Sequence, residues 1–496
     1  MIAGTVAIVA AIAAVACLLR VRGYRKWLHV PVCRTDLVSC RGGFREMALH
    51  LGPNGFELPH DLDLRGRTVL LRVVVKVRPL GRLLDPFIEI QDGRRTYRQY
   101  FERGAVGQRY LNLSPVVRRS DPNPLLRVGL RGRFIHWEAA AWLLMFDPPA
   151  TEGAGVLVLA PHPDDAEIAA FGMYACHRSW VVTVTAGERA TANLPTDVPT
   201  QARAHWAALL RVSDSMSVPQ LGQVPADRCV NLVCPDGALE SMYREPARPF
   251  PLACEETLPR SRLRSRNQML EFQRGNAGCT WNDLVGDLRR LLEFTQPDIV
   301  ICPHPLVDTH PDHVFTTVAL EHAMRDLPGR RPSLFLYVVH TRGAALYPFG
   351  PAESLVCLPP GRHAGWVADS IYSHPLEPQL QQAKYFAVEA MHAARNYADR
   401  EPKSARKVLA SMIQEVSAYV AGTGPYPASL LRRAPRPNEI YYVVRGDMLS
   451  ELLDQMSAAG LPVGDHTSAD RSVVNRVGSA TVSHLGEQHG SGTIAA

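Results

Sequence analysis

The sequence predicts a mostly parallel α/β sheet with helices on both faces, preceded by an apolar N-terminal helix and a small β-rich, sandwich-like region. Three observations predict it. Apolar runs that stop abruptly, GVLVLAP (155–161), WVVTVTAGE (180–188), DIVICPHP (298–305) and SLFLYVVH (333–340), read as strands buried on both faces. Segments of helical period lie between them, so strands and helices alternate as a parallel sheet requires. Ahead of residue 150 short stretches alternate apolar and basic residues and are split by turn residues, as antiparallel strands do.

Residues 2–19, IAGTVAIVAAIAAVACLL, hold no charge and no proline. As a helix, roughly 18 residues rise about 27 Å, the depth of a bilayer core. Arg20, Arg22, Arg25 and Lys26 follow, and no basic side chain precedes. This predicts a single-pass anchor over residues 1–20 in an inner (cytoplasmic) membrane, with the bulk of the chain on the cytoplasmic side. A cleaved signal peptide, which ordinarily has a basic start, and a buried core helix are the alternatives.

Residues 34–148 form the β-rich region. TVLLRVVVKVRPL (68–80) has the period of a half-buried strand, and PFIEIQDGRRTYRQYF (86–101) is two strand-like runs split at Asp92-Gly93, a hairpin signal. Tyr97, Tyr100, Tyr110 and Trp137 suit sugar stacking, as in carbohydrate-binding modules; their ordinary place is in half-buried pairs on the sheet.

A second domain is predicted over 153–448. In TQARAHWAALLRV (200–212) the helical period puts Ala202, Trp206, Leu209 and Leu210 on one side. WNDLVGDLRRLLEF (281–294) is an amphipathic helix ended by Gln296-Pro297. Two further helices, QLQQAKYFAVEAMHAARNYADR (379–400) and ARKVLASMIQEVSAYVAG (405–422), precede a closing strand, NEIYYVVRG (438–446). Residues 458–496, rich in Ser, Gly, Thr and His without period, predict a disordered tail. The stretch 235–268 reads as an inserted, solvated loop with a basic end.

Composition narrows the function. The 496 residues carry a net charge of only +6 and no Lys/Arg tract with interleaved aromatics, so nucleic acid is not an expected partner. The ten cysteines form no CxxC pair or regular framework, which argues against a zinc knuckle or disulfide scaffold and for a reducing compartment.

Chemistry concentrates in two segments, each directly behind a predicted buried strand: PHPDDAEIAAFG (161–172) and HPLVDTHPDH (304–313). Functional groups gather at the carboxyl ends of parallel strands, so both segments can reach one crevice. Either alone also reads as a helix cap, through Asp164 or Asp165 in the first. Two together, rich in imidazole and carboxylate, point to a metal. Zinc suits such ligands, and iron(II) accepts two histidines and a carboxylate equally well.

These motifs, with TAGE (185–188), resemble the PIG-L (LmbE-like) N-acetyl-sugar deacetylases over about residues 153–345, and KYFAVEAMHA (384–393) is similar to a later helix of that family. The resemblance implies a Rossmann-like fold and a zinc-dependent enzyme that removes acetyl from an N-acetylated amino sugar. It implies His162, Asp165 and His313 as metal ligands and Asp164 as general base. His310 would stabilise the oxyanion or protonate the leaving amine. Arg203 stands where family members often carry a substrate-contacting arginine, but Trp206 replaces the usual acidic residue three positions later. Glu188 and Asp308 are placed on the substrate side, and Glu167 as a helix-start charge. Nothing in the family pattern accounts for residues 30–148. The anchor suggests a substrate at the membrane, such as a lipid-linked sugar, a glycolipid or a lipopolysaccharide precursor. A metal-dependent amide hydrolase of a small glycosylated metabolite, and a non-enzymatic membrane-anchored glycan binder, are the alternative functions.

Overall fold

The computed structural model describes residues 35–458, except 37, 60–61, 83, 93–94, 118–125, 192–193, 195–197, 276–277, 326, 330, 342–346, 362–366 and 393–429. The anchor at residues 1–20, the helix at 405–422 and the tail from 459 lie outside the described residues. Among the described residues no helix is long and apolar enough to cross a membrane.

The strands of the N-terminal region pair antiparallel. Its strands are β1 (Phe44–His50), β2 (Gly55–Leu58), β3 (Thr68–Val77), β4 (Phe87–Gln91), β5 (Thr96–Tyr100), β6 (Val106–Asn112), β7 (Leu126–Arg133) and β8 (Ile135–Phe146). They make two four-stranded sheets, β1-β8-β3-β6 and β2-β7-β4-β5. Alternation along β3 explains the stacking: Val69, Leu71, Val73, Val75 and Val77 face one way into a core shared with Ile88, Ile90, Val128 and Leu130 of the other sheet. The hairpin at Asp92 exists, and its register, Gln91 opposite Thr96, gives it four loop residues instead of two. Tyr100 and Tyr110 are buried, and Tyr97 and Trp137 pack half-buried on the sandwich core.

The second half is a seven-stranded sheet of order β11-β10-β9-β12-β13-β15-β14, with β9 (Gly155–Ala160), β10 (Arg178–Thr185), β11 (Cys229–Cys234), β12 (Ile299–Pro303), β13 (Ser333–Tyr337), β14 (Ser370–Pro375) and β15 (Asn438–Arg445). Pairing from β11 to β13 is parallel, and β15 and β14 join antiparallel. Every residue of β9 is buried. Leu157 and Leu159 enter the core on one face, and Val156, Val158 and Ala160 that on the other, which is why the run is apolar without alternation.

Helices cover both faces: α1 (Asp165–Ala169), α2 (Phe171–Cys176), α3 (Thr200–Ser217), α4 (Leu239–Arg244), α5 (Arg260–Arg264), α6 (Trp281–Thr295), α7 (Pro311–Arg325), α8 (Pro378–Ala390) and α9 (Leu449–Ala458). The buried side of α3 differs from the predicted one. Ala204, Ala208, Arg211 and Val212 face inward, while Trp206 is 50% exposed. The short side chains let α3 lie close to the sheet; of the predicted stripe Leu209 packs at the edge of this core, while Trp206 turns outward.

The predicted loop at 235–268 is also corrected. Arg260 and Arg264, in its basic end, are each only 2% exposed. They serve the carbonyls of β11: Arg260 Nε donates to Val233 at 2.9 Å, and Arg264 Nη1 donates to Leu232 at 2.9 Å. A bulge there turns Val233 to φ 54 and shifts the register against β10, so the carbonyls need partners outside the ladder. The bulge re-aims the chain, and Pro235 to Gly237 leave the strand towards the crevice described next.

Candidate metal centre

In the sheet, β9 is followed outward by β10 and β11 on one side and by β12 and β13 on the other, so the strand order reverses between β9 and β12. That is where the ends of neighbouring strands diverge and leave a crevice at their carboxyl termini. The two motifs leave the ends of these two strands, and they meet there.

Three donor atoms form a near-equilateral triangle. His162 Nδ1 lies 3.2 Å from Asp165 Oδ2 and 3.3 Å from His313 Nε2, and His313 Nε2 lies 3.2 Å from Asp165 Oδ2. Ligands about 2.0 Å from a tetrahedrally coordinated ion stand about 3.3 Å apart, so the triangle has the size zinc would need. All three residues are buried, and the structure brings together the side chains that the resemblance implies as ligands.

The outer atoms of both rings are held by carboxylates. His162 Nε2 is 3.1 Å from Asp312 Oδ2 and 3.3 Å from Asp236 Oδ1, and His313 Nδ1 is 3.1 Å from Asp308 Oδ2. Such partners fix the ring orientation and raise imidazole basicity. Burial opposes a charge on His313, but Asp165 and Asp308 outweigh it and push its pKa to about 10. Burial likewise opposes a charge on His162, and Asp165, Asp236 and Asp312 raise its pKa well above normal.

Asp164 sits beside this triangle and points differently from Asp165. Its backbone, at φ 153 and ψ −23, occupies a region rarely used by residues with a side chain, a strain of order 1–3 kcal/mol that separates the two carboxylates. Burial raises its pKa, and the Arg211 guanidinium, 3.4 Å away, pulls it back. Gly187 of TAGE makes room for that contact. It has φ +67, and a Cβ there would stand 2.4 Å from Arg211 Nε.

His310 stacks edge-on against His162, with ring centroids 4.7 Å apart. Burial lowers its pKa, the charges of His162 and His313 add to this, and it falls to about 4. Its Nδ1 accepts the Asp312 amide at 3.2 Å, so the neutral ring carries its proton on Nε2. His340 joins from the end of β13, its ring 4.8 Å from that of His313.

Other predicted site residues have different roles. Asp308, 3% exposed, holds His313 and accepts the Val339 and His340 amides at 2.8 and 3.1 Å, so it faces the metal ligand instead of substrate. Glu188 is fully buried and accepts the amides of Asp236, at 3.2 Å, and Ala253, at 3.4 Å; it sets the position of Asp236 and cannot line a pocket. Arg203 donates from Nε to the Val198 carbonyl at 2.7 Å, and Arg211, about two turns along α3, is the arginine that meets Asp164. Glu167 receives the Tyr174 hydroxyl at 3.1 Å, and burial pushes its pKa to about 8, so at neutral pH it is not a helix-start charge. Sequence reasoning missed Asp236 and Arg211. The signal for Asp236 was its place directly behind CVNLVC (229–234), an apolar run of strand length.

The pattern of the PIG-L family, GlcNAc-PI de-N-acetylase, matches residues 157–324. No curated protein matches. Solved structures with a similar course include N,N'-diacetylchitobiose deacetylase from Pyrococcus horikoshii, at 16% identity, 60% of this chain, 87% of that one and TM-score 0.33. The deacetylase of the A40926 pseudoaglycone has 18% identity, 59% and 97% coverage and TM-score 0.30. The 4-carboxy-2-hydroxymuconate hydratase of Pseudomonas putida has 13% identity, 59% and 95% coverage and TM-score 0.31. With both motifs inside the matched span and their donor atoms converging behind β9 and β12, residues 157–324 of this chain are a PIG-L family domain.

Proposed function

We propose that the chain is a metal-dependent deacetylase that hydrolyses the N-acetyl group of an amino sugar, and that zinc is its metal. The observation that carries this reading is the triangle of His162 Nδ1, Asp165 Oδ2 and His313 Nε2, with separations of 3.2–3.3 Å and a carboxylate, Asp164, held beside it. These three residues would hold the ion. Bound there, zinc lowers the pKa of a water towards about 7 and polarises an amide carbonyl.

The chain's own groups supply the proton handling. Asp164 takes the proton of the attacking water, and its raised pKa brings it nearer to neutral, as a general base requires. Arg211 keeps it in place and limits that rise. His310, neutral and protonated on Nε2, donates a hydrogen bond to the oxyanion; its depressed pKa makes it a poorer source of a proton for the leaving amine.

The substrate we propose is carried at the membrane: a lipid-linked sugar, a glycolipid or a lipopolysaccharide precursor. The apolar run 2–19 with its following arginines supports an inner-membrane anchor and a catalytic domain on the cytoplasmic side. A tether of this kind raises the local concentration of a lipid-borne substrate.

The test is acetate release by the purified full chain from N-acetylhexosamine glycans and lipid-linked sugars, with metal content measured on the same sample. The expected result is about one zinc per chain and release reduced by 10²-fold or more in Asp164→Asn. Full release by Asp164→Asn, or by metal-free protein, sinks the reading. Equal rates on soluble and lipid-borne sugars sink only the membrane part.

A further inference from the structure

The sandwich contains a cleft of about 680 Å³, all of whose lining comes from residues 53–137. It lies where β7 hands over to β8 and the two sheets part. Small-molecule sites have volumes of about 300–1,000 Å³, so the cleft is of ligand size.

Its chemistry is one-sided. Arg78, Arg131 and His136 line it with Asn54, Gln91 and Trp137, and no acidic side chain does among the described residues. The acidic neighbour of Arg131 in the β4–β7 register is Glu89, and Arg98 Nε occupies it at 3.1 Å. Arg78, Arg131 and His136 are exposed, and none has an ion pair or side-chain hydrogen bond among the described residues.

Trp137 supplies the other half of the site. It is half-buried and packs on the sandwich core. Gly132 lies against its ring: a Cβ there would come 3.1 Å from Trp137 Cζ3 and 2.2 Å from the Ile135 carbonyl. Bare backbone beside an immobilised indole makes a flat apolar floor, with cations on the walls. A pyranose ring fits such a floor through its C–H face, and the amides of Asn54 and Gln91 suit its hydroxyls.

We propose that this cleft is a second binding site, selective for an anionic saccharide, with the sugar ring on Trp137 and its carboxylate or phosphate held by Arg78 and Arg131. The proposal goes beyond the deacetylase reading and does not depend on it, since it concerns binding alone. Arginine forks match both anions, so a uronic acid and a phosphorylated sugar share this chemistry.

Calorimetric titration of the full chain in neutral detergent tests it. The probes are tetragalacturonate, mannose 6-phosphate, neutral maltotetraose and glycerol 3-phosphate, the last a lipid headgroup without a sugar. At least one of the first two is expected to bind at least tenfold more tightly than the last two, and which one does so distinguishes carboxylate from phosphate. Arg78→Gln/Arg131→Gln, changed only at exposed positions, is expected to weaken that binding about tenfold or more with an unaltered thermal melt and metal content. Trp137→Phe is expected to weaken it as well. The proposal is overturned if no probe binds, if maltotetraose or glycerol 3-phosphate binds as tightly, or if the double variant binds like the parent.

Discussion

His313 is gripped on both ring nitrogens, by Asp165 at Nε2 and Asp308 at Nδ1, and neither carboxylate is more than 3% exposed. A metal at the triangle would replace the proton on Nε2, while Asp308 would keep the ring in the tautomer that presents a lone pair. Asp308→Asn removes that charge and retains the shape. Outer partners of this kind are worth about 10–100-fold in metal affinity, and we expect a loss of that size in competition with a chromophoric chelator, with the fold intact. An unchanged affinity would mean that Asp308 only ties β13 to the crevice through the Val339 and His340 amides. At this scale the sequence was readable wherever chemistry and spacing coincide, as in the paired His-Pro-Asp motifs. It was not readable at Arg211, because an arginine on a helix is ordinarily solvated, and only the open space over Gly187 turns this one inward.

Among the elements, α6 illustrates a helix fixed by local signals. Thr280 caps it: the Thr280 hydroxyl accepts the Asp283 amide at 2.9 Å, and Asp283 Oδ2 accepts the Thr280 amide at 3.0 Å. Gln296 stops it in the left-handed conformation, φ 41, just before Pro297. Thr280→Ala removes the hydroxyl that accepts the Asp283 amide and leaves the backbone amide free to keep its bond to Asp283, and a loss of about 1 kcal/mol is expected in denaturant unfolding. A change below about 0.3 kcal/mol would show the end to be held by tertiary contacts alone. β11 was illegible for the opposite reason. Asn231 interrupts its apolar run, and that residue is tolerated only because Val233, Asn267 and Ser215 satisfy its amide and carbonyl groups.

For the whole molecule, the join between the two halves matters most. Leu70, Leu144 and Phe146 of the sandwich share a core with Ile371, Tyr442 and Val444 of the α/β sheet, and Asn112 donates to the Val356 carbonyl at 2.9 Å across the boundary. Beside it a single guanidinium, Arg109, faces two buried carboxyls, Glu102 and Asp36. Burial therefore pushes Asp36 up to about 7, with the Glu102 charge adding to the rise against Arg109. An acid whose pKa is raised by folding favours the fold when protonated. Its contribution is whole below the unfolded value of 3.8 and is lost as pH climbs through about 7. The parent should accordingly lose stability relative to Asp36→Asn between those values, by at most about 1.4 kcal/mol per pH unit. Thermal melts from pH 4 to 8 measure this, and a constant gap between the two proteins would contradict it.

The sequence by itself determined the strands of the parallel sheet other than β11, the antiparallel character of the N-terminal region and the two motifs of the site, because each is written in local pattern: unbroken apolar runs, alternation, and ionisable clusters behind strands. Only the tertiary structure decided where the supporting carboxylates Asp236, Asp308 and Asp312 act. Asp164, Asp165, Asp236, Asp308 and Asp312 are alike as residue types, and their roles follow from burial and from which ring nitrogen or guanidinium lies within hydrogen-bond reach. Those distances are set by where β9, β11 and β12 end relative to one another. No local pattern records that register, since it arises from the packing of the whole sheet.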